Sequence, residues 1–301
     1  MIPIGERARD FGARPDITAR SVLVTIFGDS IVPTGGEVWL GDLIELAEPF
    51  GFSDRLVRTS MYRLTAEGWF HTARVGRRSR YRLTERAVGE FSDAEERIYA
   101  IGRPEWSGEW TLAFLGSGGI DREQRERLAA DLASSGFGRL GAEVLAFPGE
   151  ARERVVREAG AHGLEVPILV SRFDDRAADP ATLPVVFDLE PAAARYRAFV
   201  DGHAWSTELD HLALTDRESF VVRTMIVHEI RRATLVDPWL PSALLPTDWP
   251  GDHARALAAI SYDAVAVPAW RWLEQIAGLD RPAPDSLANL RFTAARPVVA
   301  G

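Results

Sequence analysis

The first part of the chain alternates apolar and polar positions at the spacing of amphipathic helices. Over residues 17–32 the apolar side chains fall on one helical face, which predicts a first helix that ends before the Pro/Gly-containing residues 33–36. A second helix is predicted over about residues 38–48, and the mixed-charge residues 1–16 are expected to form a loose tail. The predicted inward positions are Val22, Leu23, Ile26 and Phe27 in the first helix, and Trp39 or Leu40, Leu43 and Ala47 in the second.

A third helix and a hairpin follow. Ser53 is a favourable N-cap residue, and the helix it begins is predicted to run to about Glu67, where Gly68 ends it. Strand-like runs at residues 69–75 and 80–84 flank the basic residues 76–79, which predicts a short hairpin before a further helix at residues 85–100. Three helices followed by a hairpin is the order of a winged helix-turn-helix, whose third helix enters the major groove of DNA.

The rest of the chain predicts a mixed section followed by helices. Strands over residues 110–115, 139–147 and 166–173 alternate with helices over residues 121–135 and 151–161, a pattern typical of a ferredoxin-like α+β fold. A fourth strand is expected either from a split of residues 139–147 or from residues 183–189. Helices are predicted over about residues 191–202, 216–234 and 252–277, and the tail after about residue 285 is expected to have few anchoring residues.

Charge is distributed unevenly along the chain. The 301 residues carry a net charge of −9 and contain neither lysine nor cysteine, so disulfides and thiolate metal sites are excluded. Residues 53–86 hold nine arginines against three acids, a net charge of +6 that leaves −15 for the other 267 residues. The basic segment would orient the approach of DNA to an otherwise acidic protein. Apolar runs are too short to span a bilayer and the N-terminus lacks a signal-peptide core, so a cytoplasmic protein without membrane association is expected.

The helical wheel of the third helix separates a core face from a basic face. Val57, Ser60, Met61 and Leu64 cluster on one side, which we expect to pack inward. The opposite face offers guanidinium, hydroxyl, phenol and methyl groups, which suit base edges and phosphates. Arginines of the hairpin are placed for phosphate or minor-groove contact. The candidate DNA-binding residues are therefore Arg55, Arg58, Thr59, Tyr62 and Arg63 on the helix, and Arg74, Arg77, Arg78 and Arg80 on the hairpin.

Two separated blocks of sequence resemble the PaaX family, repressors of phenylacetic acid degradation operons. The first comprises GGEVWL (35–40), FGFSDRLVRTS (50–60), GW (68–69) and GRRSRYRLT (76–84). The second comprises HEIRR (228–232), DPWLP (237–241) and LLPTDWPG (244–251). The resemblance covers residues 17–276 and implies an α+β multidomain protein. Its implied parts are a winged helix-turn-helix domain at residues 17–100, a ferredoxin-like domain similar to Cas2 proteins at 101–182, and a helical C-terminal domain at 183–285.

The resemblance also implies partners. It implies a homodimer bound to palindromic double-stranded operator DNA and released by an aryl-acyl coenzyme A, typically phenylacetyl-CoA. A regulator of a different acyl-CoA or aromatic pathway stays open. An acyl-CoA pocket requires arginines and aromatic side chains. The candidate ligand-binding residues are Arg223, His228, Arg231, Arg232 and Trp239, although Trp239 could equally serve the core, and Arg231 and Arg232 could pair with Asp237 or Glu229.

Other functions are disfavoured by the residues present. A zinc-protease helix requires a second histidine four positions after His228, where the chain has Arg232. A Cas2-like metal-dependent nuclease requires a carboxylate at the end of the first strand of the middle section, where the chain has residues 115–117, Leu-Gly-Ser. Metal binding by His203, His211 and His228 together is a weaker alternative to ordinary hydrogen bonding. No metal, cofactor or catalytic residue is therefore expected, and an interaction module without operator specificity remains the non-enzymatic alternative.

Overall fold

The structure, a computed structural model, describes residues 2–100, 102–116, 119–172, 186–283, 286 and 291–292. The described residues form two compact units, each considered by itself below. The first unit takes its residues from 1–101, 196–233 and 251–297, and the second from 102–195 and 234–250. Helices and two small antiparallel sheets make up the chain, which confirms the predicted α+β class.

Residues 2–100 alternate helices with three short strands. The strands form one antiparallel sheet in the order β1-β3-β2, in which Val38 lies opposite Tyr81 and Phe70 opposite Leu83. The buried faces of the helices and the sheet share one apolar core. The elements are α1 (Ile4–Ala13), α2 (Ala19–Ile26), β1 (Glu37–Trp39), α3 (Leu40–Ala47), α4 (Asp54–Ala66), β2 (Phe70–Val75), β3 (Arg78–Leu83) and α5 (Glu85–Tyr99).

The expected N-terminal tail is a helix, so that prediction is wrong. Ile4, Ala8 and Phe11 recur at intervals of four and three residues, and all three are buried on one face of α1. The ring of Phe11 packs edge-on against Phe50 at a centroid distance of 6.0 Å. Burial of this stripe stabilises a helix that the charged residues between its apolar positions concealed.

The first two predicted helices are shorter than expected. Helix α2 ends at Ile26 and continues as a π-helical turn over Phe27–Ile31 and a 3-10 turn over Val32–Thr34. The start of the second predicted helix is strand β1, because its backbone pairs with β3. Helix α3 then buries Leu40, Leu43 and Ala47 as predicted, whereas Trp39 stays half-exposed on the sheet.

The middle section forms a four-stranded antiparallel sheet with two helices. The strand order is β5-β6-β4-β7, and the two short strands β5 and β6 confirm that a split of residues 139–147 supplies the fourth strand. Leu128 and Leu132 are buried as predicted, in a core shared with Leu145 and Val155. The elements are β4 (Glu109–Phe114), α6 (Arg122–Ser134), β5 (Gly138–Arg139), β6 (Val144–Pro148), α7 (Arg152–Ala161) and β7 (Ile168–Arg172).

Three long helices complete the described chain: α8 (Glu190–His203), α9 (Asp216–Thr234) and α10 (Pro250–Ala277). Their bounds lie within two residues of the predicted ones. Helix α9 and nearly all of α10 belong to the first unit, with the N-terminal 101 residues. None of the helices in the described ranges combines the length and apolar character needed to cross a bilayer.

Candidate nucleic-acid interface

Helix α4 presents one buried and one exposed face. The Ser53 side chain caps the helix by accepting a hydrogen bond from the amide of Leu56 at 3.3 Å. Val57, Ser60, Met61 and Leu64 are buried, which confirms the predicted core face. The opposite side, here called the α4 outer face, is exposed and consists of Arg55, Thr59, Tyr62 and Ala66 flanked by Arg58 and Arg63.

The groups on the α4 outer face differ in how far they are already engaged. Tyr62 is 74% exposed, an unusual degree for an aromatic side chain. Arg58 pairs with Asp54 one helical turn earlier, whereas Arg55 and Arg63 make no ion pair with any described residue. The hydroxyl of Thr59 donates to the carbonyl of Arg55 at 2.8 Å. The face therefore offers two uncommitted guanidinium groups and a phenol to a partner.

The hairpin carries a second pair of uncommitted arginines. Strands β2 and β3 meet at a two-residue turn, where Gly76 adopts the left-handed conformation at φ 61°. Arg74 and Arg77 lie at this tip, are exposed, and make no ion pair within the described part of the chain. Their charge is therefore available to an anionic partner.

Two other hairpin arginines are held by neighbouring residues that the sequence reasoning did not assign. The guanidinium of Arg78 lies 4.4 Å from the ring centre of Trp39 and 3.3 Å from a carboxylate oxygen of Asp42. Arg80 lies 5.4 Å from the same ring and 3.2 Å from Glu37. We call Glu37, Trp39 and Asp42 the hairpin clamp. The alternation of Glu37 and Trp39 on a strand was the available signal, but the region was predicted as helix.

The clamp fixes the hairpin at the expense of free charge. Burial raises the pKa of Asp42, even though Arg78 beside it acts in the opposite direction. Stacking of an exposed arginine on tryptophan contributes about 0.5–1 kcal/mol. The four hairpin arginines therefore fall into two pairs, one exposed at the tip and one held against the sheet.

The predicted ligand-binding residues of α9 lie in separate surroundings. Arg223 is fully buried, with its Nε donating to Asp29 Oδ2 at 2.7 Å and its guanidinium 4.4 Å from the Trp270 ring. Arg232 lies 2.6 Å from Asp16 and 3.3 Å from Glu229, the second of which is one of the alternative pairings considered from the sequence. Burial lowers the pKa of Arg231. In this conformation Arg223 is part of the core.

His228 is also a core residue. Its Nδ1 lies 2.9 Å from Thr25 Oγ1, and since the threonine hydroxyl donates to the Ser21 carbonyl, the imidazole Nδ1–H is the donor to Thr25. The Phe11 ring packs edge-on at 5.4 Å. Burial lowers the pKa of His228 to about 3, so the ring is neutral at physiological pH.

Trp239 belongs to the second unit. It adopts a left-handed backbone conformation at φ 60°, which is strained for a large side chain, and its amide donates to Asp237 at 2.8 Å. Arg103 lies 4.7 Å from its ring centre and pairs with the buried Asp237 at 2.6 Å. Ligand binding by Trp239 and by the four α9 residues stays a prediction.

Among the residues that the structure describes, no three His, Asp or Glu side chains are close enough together to hold a metal ion. His203 is engaged with its own helix, where Nδ1 donates to the Phe199 carbonyl at 3.2 Å. Leu115 and Gly116 follow strand β4, so the described part of that strand end carries no carboxylate. Nothing in these ranges favours the nuclease alternative.

The chain is thus an α+β protein that exposes a basic helix and a basic hairpin tip from an otherwise acidic sequence. It belongs to the PaaX-like family: the family model described as PaaX-like protein matches residues 18–87, and the PaaX-like protein C-terminal domain matches residues 187–275. It is 33% identical over 291 residues to "Transcriptional repressor PaaX" of Escherichia coli (strain K12), covering 92% of this chain and 90% of that protein.

A solved structure has a similar fold. "Uncharacterized protein Rv0674 from Mycobacterium tuberculosis" superposes with a TM-score of 0.54, covering 83% of this chain and 97% of that one. At 24% sequence identity this similarity concerns the fold alone.

Proposed function

We propose that this protein is a DNA-binding transcriptional repressor that reads its operator through the α4 outer face. The observation that carries the proposal is the exposed set of Arg55, Tyr62 and Arg63 on a helix whose other side is anchored in the core. The 33% identity to a protein named as a transcriptional repressor supports it. Regulation of transcription, without catalysis, is the resulting function.

In this proposal residues 17–100 are a winged helix-turn-helix domain. Helices α2, α3 and α4 followed by the β2–β3 hairpin have the required order, with β1 as the third strand of the sheet. Helix α4 would enter the major groove and the hairpin would lie against the adjacent backbone. The second unit has the βαββαβ order and antiparallel pairing of a ferredoxin-like domain, and residues 183–285 would supply the helical C-terminal domain.

The uncommitted side chains divide the work of recognition. Arg55 can present a two-pronged donor to guanine, while Thr59 and Tyr62 can contact base edges and Ala66 a thymine methyl group. Arg74 and Arg77 carry no competing ion pair and would bind phosphates. Arg78 and Arg80 would hold the hairpin in position through the hairpin clamp and contact the backbone only secondarily.

A homodimer would place two α4 helices on a palindromic operator. Half-sites of such dimers lie about 34–36 Å apart, one turn of DNA, so that both helices reach the same face of the duplex. An effector that favours a different dimer geometry would then release the DNA, provided that it binds the two geometries with different affinity.

We propose an aryl-acyl-CoA as that effector, with phenylacetyl-CoA the first compound to test and other aromatic or acyl-CoA pathways as the alternative. Trp239 is half-exposed and strained, which suits a residue held ready for a ligand. Arg231 and Arg232, at the C-terminal end of α9, would supply charge for phosphates. Contact with Arg223 or His228 would require the core to open, because both side chains are fully buried. A cytoplasmic location follows from a repressor role.

Selection from a random duplex library tests the DNA-binding proposal. We expect the purified protein to enrich one palindromic sequence and to protect it as a discrete footprint. Arg55→Ala should weaken binding to that sequence at least tenfold, since a bidentate base contact contributes about 1–3 kcal/mol. Arg152→Ala is the matched control, because Arg152 is exposed in the second unit and makes no ion pair with a described residue. Enrichment of no sequence would contradict the proposal and favour an interaction module.

A titration of the protein–operator complex tests the effector. We expect phenylacetyl-CoA to release the selected duplex, and coenzyme A alone or phenylacetate alone to do so poorly. Isothermal titration with the Arg231→Ala, Arg232→Ala double variant then tests the proposed phosphate contacts. Unchanged affinity in a folded variant would exclude these two residues, and release by a different acyl-CoA would replace the proposed compound.

A further inference from the structure

A buried carboxylate lies at the centre of the first unit. Asp29 is 2% exposed and belongs to the π-helical turn that follows α2. Its Oδ1 accepts hydrogen bonds from the phenols of Tyr99 at 2.8 Å and Tyr262 at 3.2 Å, and its Oδ2 accepts from Arg223 Nε at 2.7 Å. Burial by itself raises the pKa of Asp29, but the neighbouring guanidinium groups outweigh it, so the group stays ionised.

A second guanidinium reaches this carboxylate from the C-terminal tail. Arg291 is 3% exposed; its Nη1 donates to the Asp29 carbonyl and to Asp29 Oδ1, and its Nη2 donates to the Gly28 carbonyl at 3.1 Å. Glu95 accepts from the same group at 3.1 Å, and the plane of Tyr99 lies 4.3 Å away. The expectation of few anchors in the tail is therefore wrong at this position.

Phe292 completes the contact. Its ring packs against Tyr99 at 5.1 Å and Tyr262 at 5.4 Å, and its amide donates to the Tyr99 carbonyl at 3.1 Å. The residue has φ 55°, a left-handed conformation that non-glycine residues adopt only where their surroundings hold them. The matched family segment ends at residue 275, so this dipeptide lies beyond it.

The chemistry of the site fits a guanidinium and little else. Two backbone carbonyls and two carboxylates surround a planar cation stacked on a phenol, an arrangement that uses the fixed fork of donors that only arginine has. Without Arg291 the charge of Asp29 would still be balanced by Arg223, and Glu95 would still reach solvent, because its side chain is 20% exposed. The core can therefore exist with this site filled or empty.

The residues that hold Arg291 belong to elements of the basic N-terminal segment. In the π-helical turn, Phe27 packs on Phe70 of β2 with ring centres 4.4 Å apart, and a Cβ at Gly28 would lie 3.0 Å from the ring of Phe91. Glu95 and Tyr99 lie on α5, the helix that follows the hairpin. A filled site therefore ties the hairpin, the π-helical turn and α5 together.

We propose that Gly28, Asp29, Glu95, Tyr99 and Tyr262 form a binding site for an arginine–aromatic dipeptide, occupied by the chain's own Arg291 and Phe292 as a C-terminal latch. Closure of the latch fixes the π-helical turn and α5, and so preorganises the α4 outer face and hairpin. The effect on operator affinity rests on the proposed DNA-binding function, whereas occupancy of the site does not.

Hydrogen exchange of the full-length chain tests occupancy. In the Arg291→Gln, Phe292→Ala variant, exchange over residues 27–31 and 95–99 should become at least tenfold faster, with helix α6 of the second unit unchanged as internal reference. The acetylated, amidated peptide of residues 288–294 should restore slow exchange when added, and the same peptide with glutamine in place of arginine should not. Unchanged exchange in the variant, or equal rescue by both peptides, would overturn the latch.

Operator binding then tests what the latch does. The same variant should bind the selected duplex five- to tenfold more weakly, and the arginine peptide should restore the affinity. Arg217→Gln serves as control, since Arg217 is an exposed arginine of the same unit paired with Glu48. Wild-type affinity in a variant with fast local exchange would overturn the regulatory role. If the unaltered chain selects no DNA sequence, the proposed function fails while the exchange result still decides occupancy.

Discussion

The arginines of this chain occupy three different environments. Arg55 and Arg77 are exposed without an ion pair among the described residues, Arg78 is stacked on Trp39, and Arg223 is buried against Asp29. Because the chain has no lysine, residue type alone could not separate these environments. The sequence located the basic surface, but only the neighbouring acids and aromatics show which guanidinium groups are available.

Salt dependence of DNA binding distinguishes the two pairs of hairpin arginines. The Arg74→Ala, Arg77→Ala variant should lower affinity for all duplexes and reduce the slope of log K against log salt by about 2, roughly one for each lost phosphate contact. The Arg78→Ala, Arg80→Ala variant removes the same formal charge but should change the slope by less than about 1, because these groups already face acids. Anisotropy titrations at three salt concentrations measure both.

The comparison has a clear contradictory outcome. Equal slopes for the two variants would show that the hairpin clamp does not withhold Arg78 and Arg80 from the DNA. Slopes equal to that of the unaltered protein in both variants would exclude the hairpin from the interface altogether.

His228 makes stability depend on pH. Its pKa of about 3 in the folded chain lies below the ordinary value near 6.5, so the unfolded state binds the extra proton and stability falls as pH drops from about 6.5 towards 3. Arg231, Arg232 and Arg14 lower this pKa, and Asp16 raises it. Between pH 7 and pH 5 the loss from this residue should be about 2 kcal/mol.

Urea unfolding at the two pH values measures this loss. His203, whose pKa burial lowers to about 4, should contribute a loss of similar size, so the unaltered chain should lose about twice the single-residue amount. His228→Asn should remove about half of the pH dependence. If the variant and the unaltered chain lost the same free energy between pH 7 and pH 5, His228 would not be buried as a neutral ring.

At the scale of elements, helices with strong local signals were predicted and those defined by distant partners were not. Helix α4 has an N-cap at Ser53, a regular apolar stripe and a closing glycine, so its bounds and both faces followed from local sequence. Strand β1 is three residues long and exists because β3 pairs with it. The burial of Arg223 and His228 depends on Asp29 and Thr25, which lie about 200 positions away and leave no local pattern.

Helix α1 provides a direct test of the element that the sequence did not reveal. Phe11 is 6% exposed and contacts both Phe50 and His228, so Phe11→Ala should lower the free energy of unfolding by about 3 kcal/mol. Phe11→Leu retains most of the apolar volume and should cost less than about 1.5 kcal/mol. Chemical denaturation at neutral pH measures both values. An alanine variant as stable as the unaltered chain would mean that residues 4–13 do not dock in solution.

For the whole molecule, the separation of charge explains how an acidic protein can bind DNA. The net charge of +6 over residues 53–86 opposes −15 over the remainder, so approach by any other surface is repelled. A single basic surface per protomer also favours a dimer, since a palindrome then presents two equivalent half-sites.

Stoichiometry and spacing test the dimeric arrangement. Analytical ultracentrifugation should give two protomers for each selected duplex. Insertion of 5 base pairs between the half-sites rotates them to opposite faces and should reduce affinity at least tenfold, because only one α4 helix can then bind. One protomer per duplex, or indifference to the insertion, would contradict the dimeric reading.

The most direct test of the central claim is the ratio of affinities for the selected operator and a shuffled duplex, measured at one salt concentration. For the unaltered protein we expect a ratio of about 10³ or more. The Arg55→Ala variant should lower the ratio by relaxing preference at one base pair of each half-site, whereas the Arg74→Ala, Arg77→Ala variant should weaken both duplexes and leave the ratio unchanged. A ratio that Arg55→Ala leaves intact would contradict sequence reading by the α4 outer face.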